Sequence, residues 1–317
     1  MVNEGFSAWP RLLGRASMEG GWTRLVGALG AEGDMSGHEE QPFGTWMNRH
    51  EVAVYLVLAY GISWSIWPLV LLNPESSPLV PFGPGLAAVL VAVVGGGRRG
   101  LTGLLHQLRR WRVAPRWYGV ALVMPVAISA AALGAAALAG AQLPRWEPSD
   151  ALQVAGTLLV TMVVVGLFEE LGWRGFLLPR LQRDRDALAA ALLVGLAWLP
   201  WHLPELVSDP DQRPLAQFGI YIFALSVLLA WLYNSTRASL PVVILLHAAF
   251  NTFAKFFLSD LQGNPKLVAW WTLAGLTALA ALVVVRYAGA RSLHRHGTAA
   301  MPNPAPEARR DRAGGTE

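Results

Sequence analysis

The sequence has no cysteine, and only 15% of its 317 residues are charged. The first absence excludes a disulfide framework, a thiolate metal site and a cysteine nucleophile. The second falls well short of the roughly 25% charge of a soluble domain. Lysine is almost missing: Lys255 and Lys266 are the only two among 25 basic residues. What fills the space is apolar, 54% of the chain. That excess excludes a disordered chain, a collagen and an ordinary nucleic-acid-binding protein, and points to a polytopic membrane protein. The net charge of +4 then reads as the arginine excess of cytoplasmic loops, with no nucleic-acid partner.

A span needs about 20 mostly apolar residues. Eight segments qualify: 52–72, 80–97, 117–140, 152–178, 187–207, 215–234, 240–258 and 267–287. Turn signals separate them, among them Asn73-Pro74, Pro144 to Pro148 and Gly263-Asn264-Pro265. The expected fold is all-α, about eight transmembrane helices in a domain covering 49–289. Arginine sets its orientation. Connection 98–116 holds six, 180–186 three, 235–239 one, and the chain from Arg286 onward six. The alternate connections hold only Arg145, Arg213 and Lys266. The positive-inside rule therefore predicts a multi-pass protein of the cell membrane with both termini in the cytoplasm.

Three flanking readings complete the organisation. Leu101–Val113 mixes Leu, Trp and Arg at near-helical spacing and is expected to be an amphipathic helix lying in the cytoplasmic interface. Residues 1–48 are Gly-rich, mixed in charge and without a signal-peptide core, a poorly ordered extension of which 1–34 reads as a misassigned upstream start before Met35. Residues 290–317, rich in Ala, Pro, Arg and Gly, read as a disordered cytoplasmic tail with no prenylation box of its own.

Few ionisable residues fall inside the spans. Of 21 acidic residues only Glu169, Glu170 and, near the end of its span, Glu205 do; of 25 basic residues, Arg174, Lys255 and, at the end of its span, Arg286; of seven histidines, His202 and His247. Glu205, Lys255 and Arg286 lie near span ends, where a charged side chain can reach the interface. For the other five, a charge at mid-membrane costs about 2.5–3.5 kcal/mol on insertion scales, and such residues normally mark a functional site. Glu170 and Arg174 are four apart and share a helix face, whereas Glu169 is rotated by about 100° from Glu170. Arginine can thus hold one carboxylate while its neighbour points elsewhere. Two adjacent carboxylates in a low-dielectric site cannot both ionise cheaply, which suits one of them to act as a base. Pro200 and Pro204 break the fifth span around His202, as is tolerated where backbone lines a cavity. His247 and Asn251 share a face four residues apart, and both carry N–H donors suited to an oxyanion. There is no zincin His-Glu-x-x-His, no Gly-x-Ser-x-Gly elbow and no aspartate in any span.

These motifs are Glu169-Glu170-Leu-Gly-Trp-Arg174, Trp198-Leu-Pro-Trp-His202 and His247-Ala-Ala-Phe-Asn251. In this order, they resemble the CPBP family of intramembrane proteases, which includes type II CAAX prenyl endopeptidases and bacteriocin-processing or Abi proteins. The resemblance covers about 152–257. It departs at Trp198, where the family usually has Phe. It implies that Glu169 is the general base on a water, that His202 helps to hold that water, that His247 and Asn251 stabilise the oxyanion, and that Glu170 and Arg174 position Glu169. It also leaves two cofactor readings. Zinc could take Glu169, His202 and His247 as ligands. A metal-free glutamate mechanism is preferred, because short-range zinc spacing is absent. The implied partners are the bilayer and a membrane-associated peptide or protein, prenylated or not. Two other functions fit intramembrane Glu and His: a proton-coupled transporter, or a catalytically silent membrane scaffold. One calculation does not close. Counted from the cytoplasmic ends, His247 lies about 10 Å deep but His202 about 22 Å deep.

Overall fold

The computed structural model describes residues 42–68, 79–143, 145, 147–208 and 214–294, and every regular element among them is helical. Met1–Thr45 is a unit separate from Trp46–Glu317; the helices below belong to the second, apart from the first residues of α1. They are α1 (Pro42–Trp64), α2 (Gly83–His106), α3 (Pro115–Leu138), α4 (Pro148–Leu181), α5 (Ala187–Trp201), α6 (Leu203–Ser208), α7 (Leu215–Ser235), α8 (Leu240–Leu258) and α9 (Gly263–Ala288). Prolines open α2, α3, α4 and α8, where the missing N–H costs nothing. At the start of α4, Glu147 and Asp150 form a reciprocal capping box.

Among the described residues six helices are long and apolar enough to cross a membrane: α2 with its following 3-10 turn, α3, α4, α7, α8 and α9. The protein is thus an all-α, polytopic membrane protein. Two of the eight expected spans differ. The first, at 52–72, is the helix α1, which starts ten residues earlier, ends at Trp64 and is not among the six. The fifth, at 187–207, is divided. Helix α5 stops after 15 residues and α6 restarts at Leu203. Fifteen residues rise about 22 Å, short of a hydrocarbon core of about 30 Å.

Two helices are bent where their sequence permits it. Gly97 has φ 54° and ψ −144°, so α2 turns sharply there. The chain doubles back so tightly that a Cβ on Gly100 would lie 2.2 Å from the Ala92 carbonyl oxygen. The expected amphipathic stretch is therefore helical only to His106, followed by a 3-10 turn at Gln107–Arg109 and non-helical chain to Ala114. It is held by protein contacts. Gln107 Nε2 donates to the Gly175 carbonyl at 3.0 Å, the Tyr233 hydroxyl donates to Gln107 Oε1 at 2.7 Å, and Arg110 Nη1 donates to the Arg237 carbonyl at 2.5 Å. The Gly175 carbonyl has Pro179 four residues on, which carries no N–H to offer it.

Helix α4 carries the second distortion. Its α-helical turns at Pro148–Thr161, Leu167–Glu170 and Leu178–Leu181 are separated by π-helical stretches at Met162–Gly166 and Leu171–Leu177. Such stretches are rare and gather at functional sites. Here they flank the two glutamates. The second π stretch packs on α2, and α8 packs on α3 and on α4. Contact with α2 is backbone to backbone: a Cβ on Gly172 would lie 2.6 Å from Pro84, and one on Gly85 would lie 2.8 Å from the Phe168 carbonyl oxygen.

The first residues of the expected tail are docked. The Ala187 and Leu188 amides, unpaired donors at the start of α5, donate to the carbonyls of Arg291 and Ala290 at 2.9 Å, and Leu293 is buried. The rest of that tail, from 295, lies outside the described residues, as do 1–41 of the expected N-terminal extension.

Candidate active site

A cavity of about 760 Å³ lies between α4, α5, α7, α8 and α9. Glu169, His202, His247 and Asn251 all line it. Glu170 and Arg174 do not; both are fully buried behind it. The sequence motifs are thus brought together, but at two depths in the wall.

Behind the wall, Glu170 is the centre. Arg174 Nη1 donates to Glu170 Oε1 at 2.8 Å, the i,i+4 pair expected from the sequence. His247 Nδ1 lies 2.7 Å from the same oxygen. A carboxylate only accepts, so the Nδ1 atom carries the proton. The Nε2 atom of His247 then donates only when the ring carries both protons. With Glu169, the cluster sets two carboxyl groups against one guanidinium and one imidazole, in surroundings where an unpaired charge is costly.

At the wall, Glu169 is held by a residue whose part in the site the motif reading did not foresee. Trp198 Nε1 donates to Glu169 Oε2 at 2.9 Å. Trp198 is itself buried, with the Arg174 guanidinium 4.4 Å above its ring and the His247 ring edge-on at 5.2 Å. Arg174 therefore reaches Glu169 through Trp198, and Glu170 contacts His247. The sequence signal was visible, since Trp stands where the resembled family has Phe, but only the indole N–H gives the substitution its chemistry.

The break after α5 orients His202. Its amide donates to the Leu199 carbonyl, three residues back, at 3.2 Å. That leaves the Trp198 carbonyl, the normal i−4 acceptor, for the His202 side chain, and Nδ1 meets it at 3.0 Å. The proton sits on Nδ1, and in the neutral ring Nε2 is the acceptor nitrogen. Trp64 Nε1 donates to the Trp201 carbonyl at 3.0 Å, and the Tyr60 hydroxyl donates to the Ala197 carbonyl. Helix α1 thus supports the broken end of α5. His202 packs edge-on against Trp201 and Phe218. Its apparent excess depth is also resolved: α5 does start at Ala187, and the cavity extends far enough along the bundle to reach its C-terminal end.

Asn251 lines the cavity one turn beyond His247 on α8, with its amide in no hydrogen bond among the described residues. The site therefore presents two acceptors, Glu169 and His202, and two donor-bearing side chains, His247 and Asn251. Among the described residues no three His, Asp or Glu side chains gather at metal-ligand distance. The Glu170 contact occupies His247 Nδ1 and the Trp198 contact occupies Glu169 Oε2, which leaves His247 Nε2 and Glu169 Oε1 for water, substrate or an ion.

Residues 151–253, which contain all six motif residues, match the family model described as type II CAAX prenyl endopeptidase Rce1-like. A CAAX prenyl protease 2 from Methanococcus maripaludis is 27% identical over 103 residues, covering 30% of this chain and 38% of that protein. Less than half of the relative's length is thus matched. Both findings bear out the resemblance read from the motifs.

Proposed function

We propose that this chain, whose central helices fall in the CPBP family of CAAX proteases, is an intramembrane endopeptidase that uses Glu169 to activate water. One observation carries the reading: the cavity wall sorts its polar side chains into water acceptors and oxyanion donors, while their charge partners are sealed behind. Neither a transporter nor a scaffold requires that sorting.

The reaction follows from the donors and acceptors. A water molecule gives one proton to Glu169 as its oxygen attacks the scissile carbonyl carbon. His202 Nε2 accepts the other O–H and aims the lone pair. The carbonyl oxygen becomes an oxyanion, met by His247 Nε2–H and the Asn251 amide N–H. Glu170 holds His247 by its Nδ1 side, and Arg174 holds Glu170. When the C–N bond breaks, Glu169 passes its proton to the leaving amine. The products are a carboxylic acid and an amine, and the acid's proton passes to the amine to leave a carboxylate and an ammonium, with Glu169 regenerated. No step is routed through a metal. The substrate class is a membrane-associated peptide.

The test compares membrane peptides by mass spectrometry between cells carrying wild type and cells carrying Glu169→Gln at equal protein levels. Fragments present only with wild type are expected. Identical peptide sets contradict the assignment.

A further inference from the structure

A second cavity, of about 180 Å³, shares no lining residue with the candidate active site. It lies among the connections at the arginine-rich end of the bundle. Arg185 reaches it from the connection after α4, Arg237 from the turn after α7, and Arg291 from the chain after α9. Gln182, Asn234 and Ser292 complete a polar wall. Three guanidiniums thus meet in one lining that holds no carboxylate among the described residues. Arg291 Nε approaches Asp186 Oδ1 only to 3.8 Å, with both side chains largely exposed, a pairing worth little. Gln182 Nε2 is buried without a hydrogen-bond partner among the described residues, and a buried donor left unmade is costly.

The walls of this cavity are held in place. Gly289, at φ 80°, turns the chain off α9. The Ala290 and Arg291 carbonyls then take the first amides of α5, Asn234 Nδ2 donates to the Ser292 carbonyl at 3.0 Å, and Leu293 is buried. On the other wall the Arg237 carbonyl accepts from Arg110, and the Ala238 amide donates to the Tyr233 carbonyl at 2.8 Å. Among the described residues, the non-glycine residues with positive φ are Arg237 at 54°, Ala238 at 63° and Leu293 at 48°. The first two line the cavity, and Leu293 stands between Ser292 and His294, which also line it. Backbone held in this region gathers at ligand clamps.

The depth of the cavity narrows the ligand. Helix α4 ends at Leu181, α7 at Ser235 and α9 at Ala288. The cavity therefore lies where membrane-crossing helices end, at the level of the bilayer headgroups. The positive-inside rule assigns this end to the cytoplasm, where the leaflet is anionic. We propose that the cavity binds a phosphate group, presented by the headgroup of an anionic phospholipid. Arginine forks grip phosphate oxygens through paired N–H bonds, and Gln182 adds a neutral donor. One such anion ties the chain after α9 to the turn between α7 and α8 and to the start of α5, the helix whose other end carries Trp198. The site is independent of the chemistry assigned to Glu169.

The test titrates the purified full-length chain with phosphatidylglycerol, phosphatidylcholine or inorganic phosphate. Native mass spectrometry reads bound lipid, and the unfolding midpoint reads its effect on stability. Arg185→Gln, Arg237→Gln and Arg291→Gln are made singly and together. All three side chains are exposed, so the unfolding midpoint without lipid should stay at the wild-type value. A control that combines Arg98→Gln, Arg99→Gln and Arg112→Gln removes the same charge outside the cavity. Wild type should bind phosphatidylglycerol more tightly than phosphatidylcholine. Each cavity arginine removed should weaken phosphatidylglycerol about fivefold, and all three together about 100-fold. The control should bind as wild type does. Equal phosphatidylglycerol binding by wild type and the cavity triple overturns the site, as does a control that weakens it equally. Inorganic phosphate that raises the midpoint as far as phosphatidylglycerol at equal concentration overturns the lipid as its source.

Discussion

Trp198 sits between the buried ion pair and the base, one face against Arg174 and its N–H on Glu169. Trp198→Phe keeps a ring and removes that N–H. A hydrogen bond to a charged group is worth about 1.5–3 kcal/mol, which corresponds to a fall in kcat of about 10–100-fold. KM should change less, since the lost contact is to Glu169. Steady-state kinetics on a cleaved peptide checks both numbers, and unchanged kcat removes Trp198 from the account. Glu170 answers a different question. Glu170→Gln leaves Arg174 buried without a carboxylate, and breaking such a pair costs about 3–5 kcal/mol. A lowered unfolding midpoint in detergent, together with lost activity, is expected. At this scale the sequence was informative about which residues matter. Six charged or polar side chains in apolar spans stood out because so few others exist. It was silent on partners. No spacing rule says that Glu170 meets His247 across helices, or that an indole N–H reaches Glu169, because both contacts join residues far apart in the chain.

The helices themselves were legible wherever a long apolar run ended in proline, glycine or charge. Helix α8 begins and ends where the sequence reading put it, and the Pro200–Pro204 break leaves His202 in a turn as expected. What the hydropathy pattern could not register is local winding. A π stretch changes the pitch of an apolar helix without changing its composition, so α4 reads from sequence as one regular span. The same holds for Gly97, where a single left-handed residue turns α2 back on itself. The close approach of α2 and α4 gives the π stretch a measurable role. Gly172→Ala sets a methyl 2.6 Å from Pro84 backbone and side-chain atoms, and overpacking of this kind costs about 1–3 kcal/mol. The expected outcome is a less stable protein with lower kcat, because the shift displaces the glutamates between the π stretches. A variant as stable and active as wild type contradicts the tight seating of α4 on α2.

For the molecule as a whole, the shortage of charge that classed the chain as a membrane protein also separates its two ends. Arginine gathers at one, and the two lysines stand at the other. In the full-length chain, which has no cysteine of its own, Lys266→Cys and Arg112→Cys should react with a membrane-impermeant maleimide from opposite sides of the membrane, and labelling of both from one side contradicts that separation. Among the described residues, length and apolar composition together count six spans, and the shorter α5 remains within the bundle through α7, the docked residues Ala290–Leu293 and the contacts from α1. The central claim is narrower than the fold: Glu169 is the base that activates water in this cavity. Purified protein in proteoliposomes, given a peptide identified by the membrane comparison, allows kcat to be measured for wild type and Glu169→Gln. General-base catalysis contributes about 10²–10⁴-fold, so a fall of that size is predicted with the unfolding midpoint unchanged. A Glu169→Gln protein that cleaves at the wild-type rate contradicts the account.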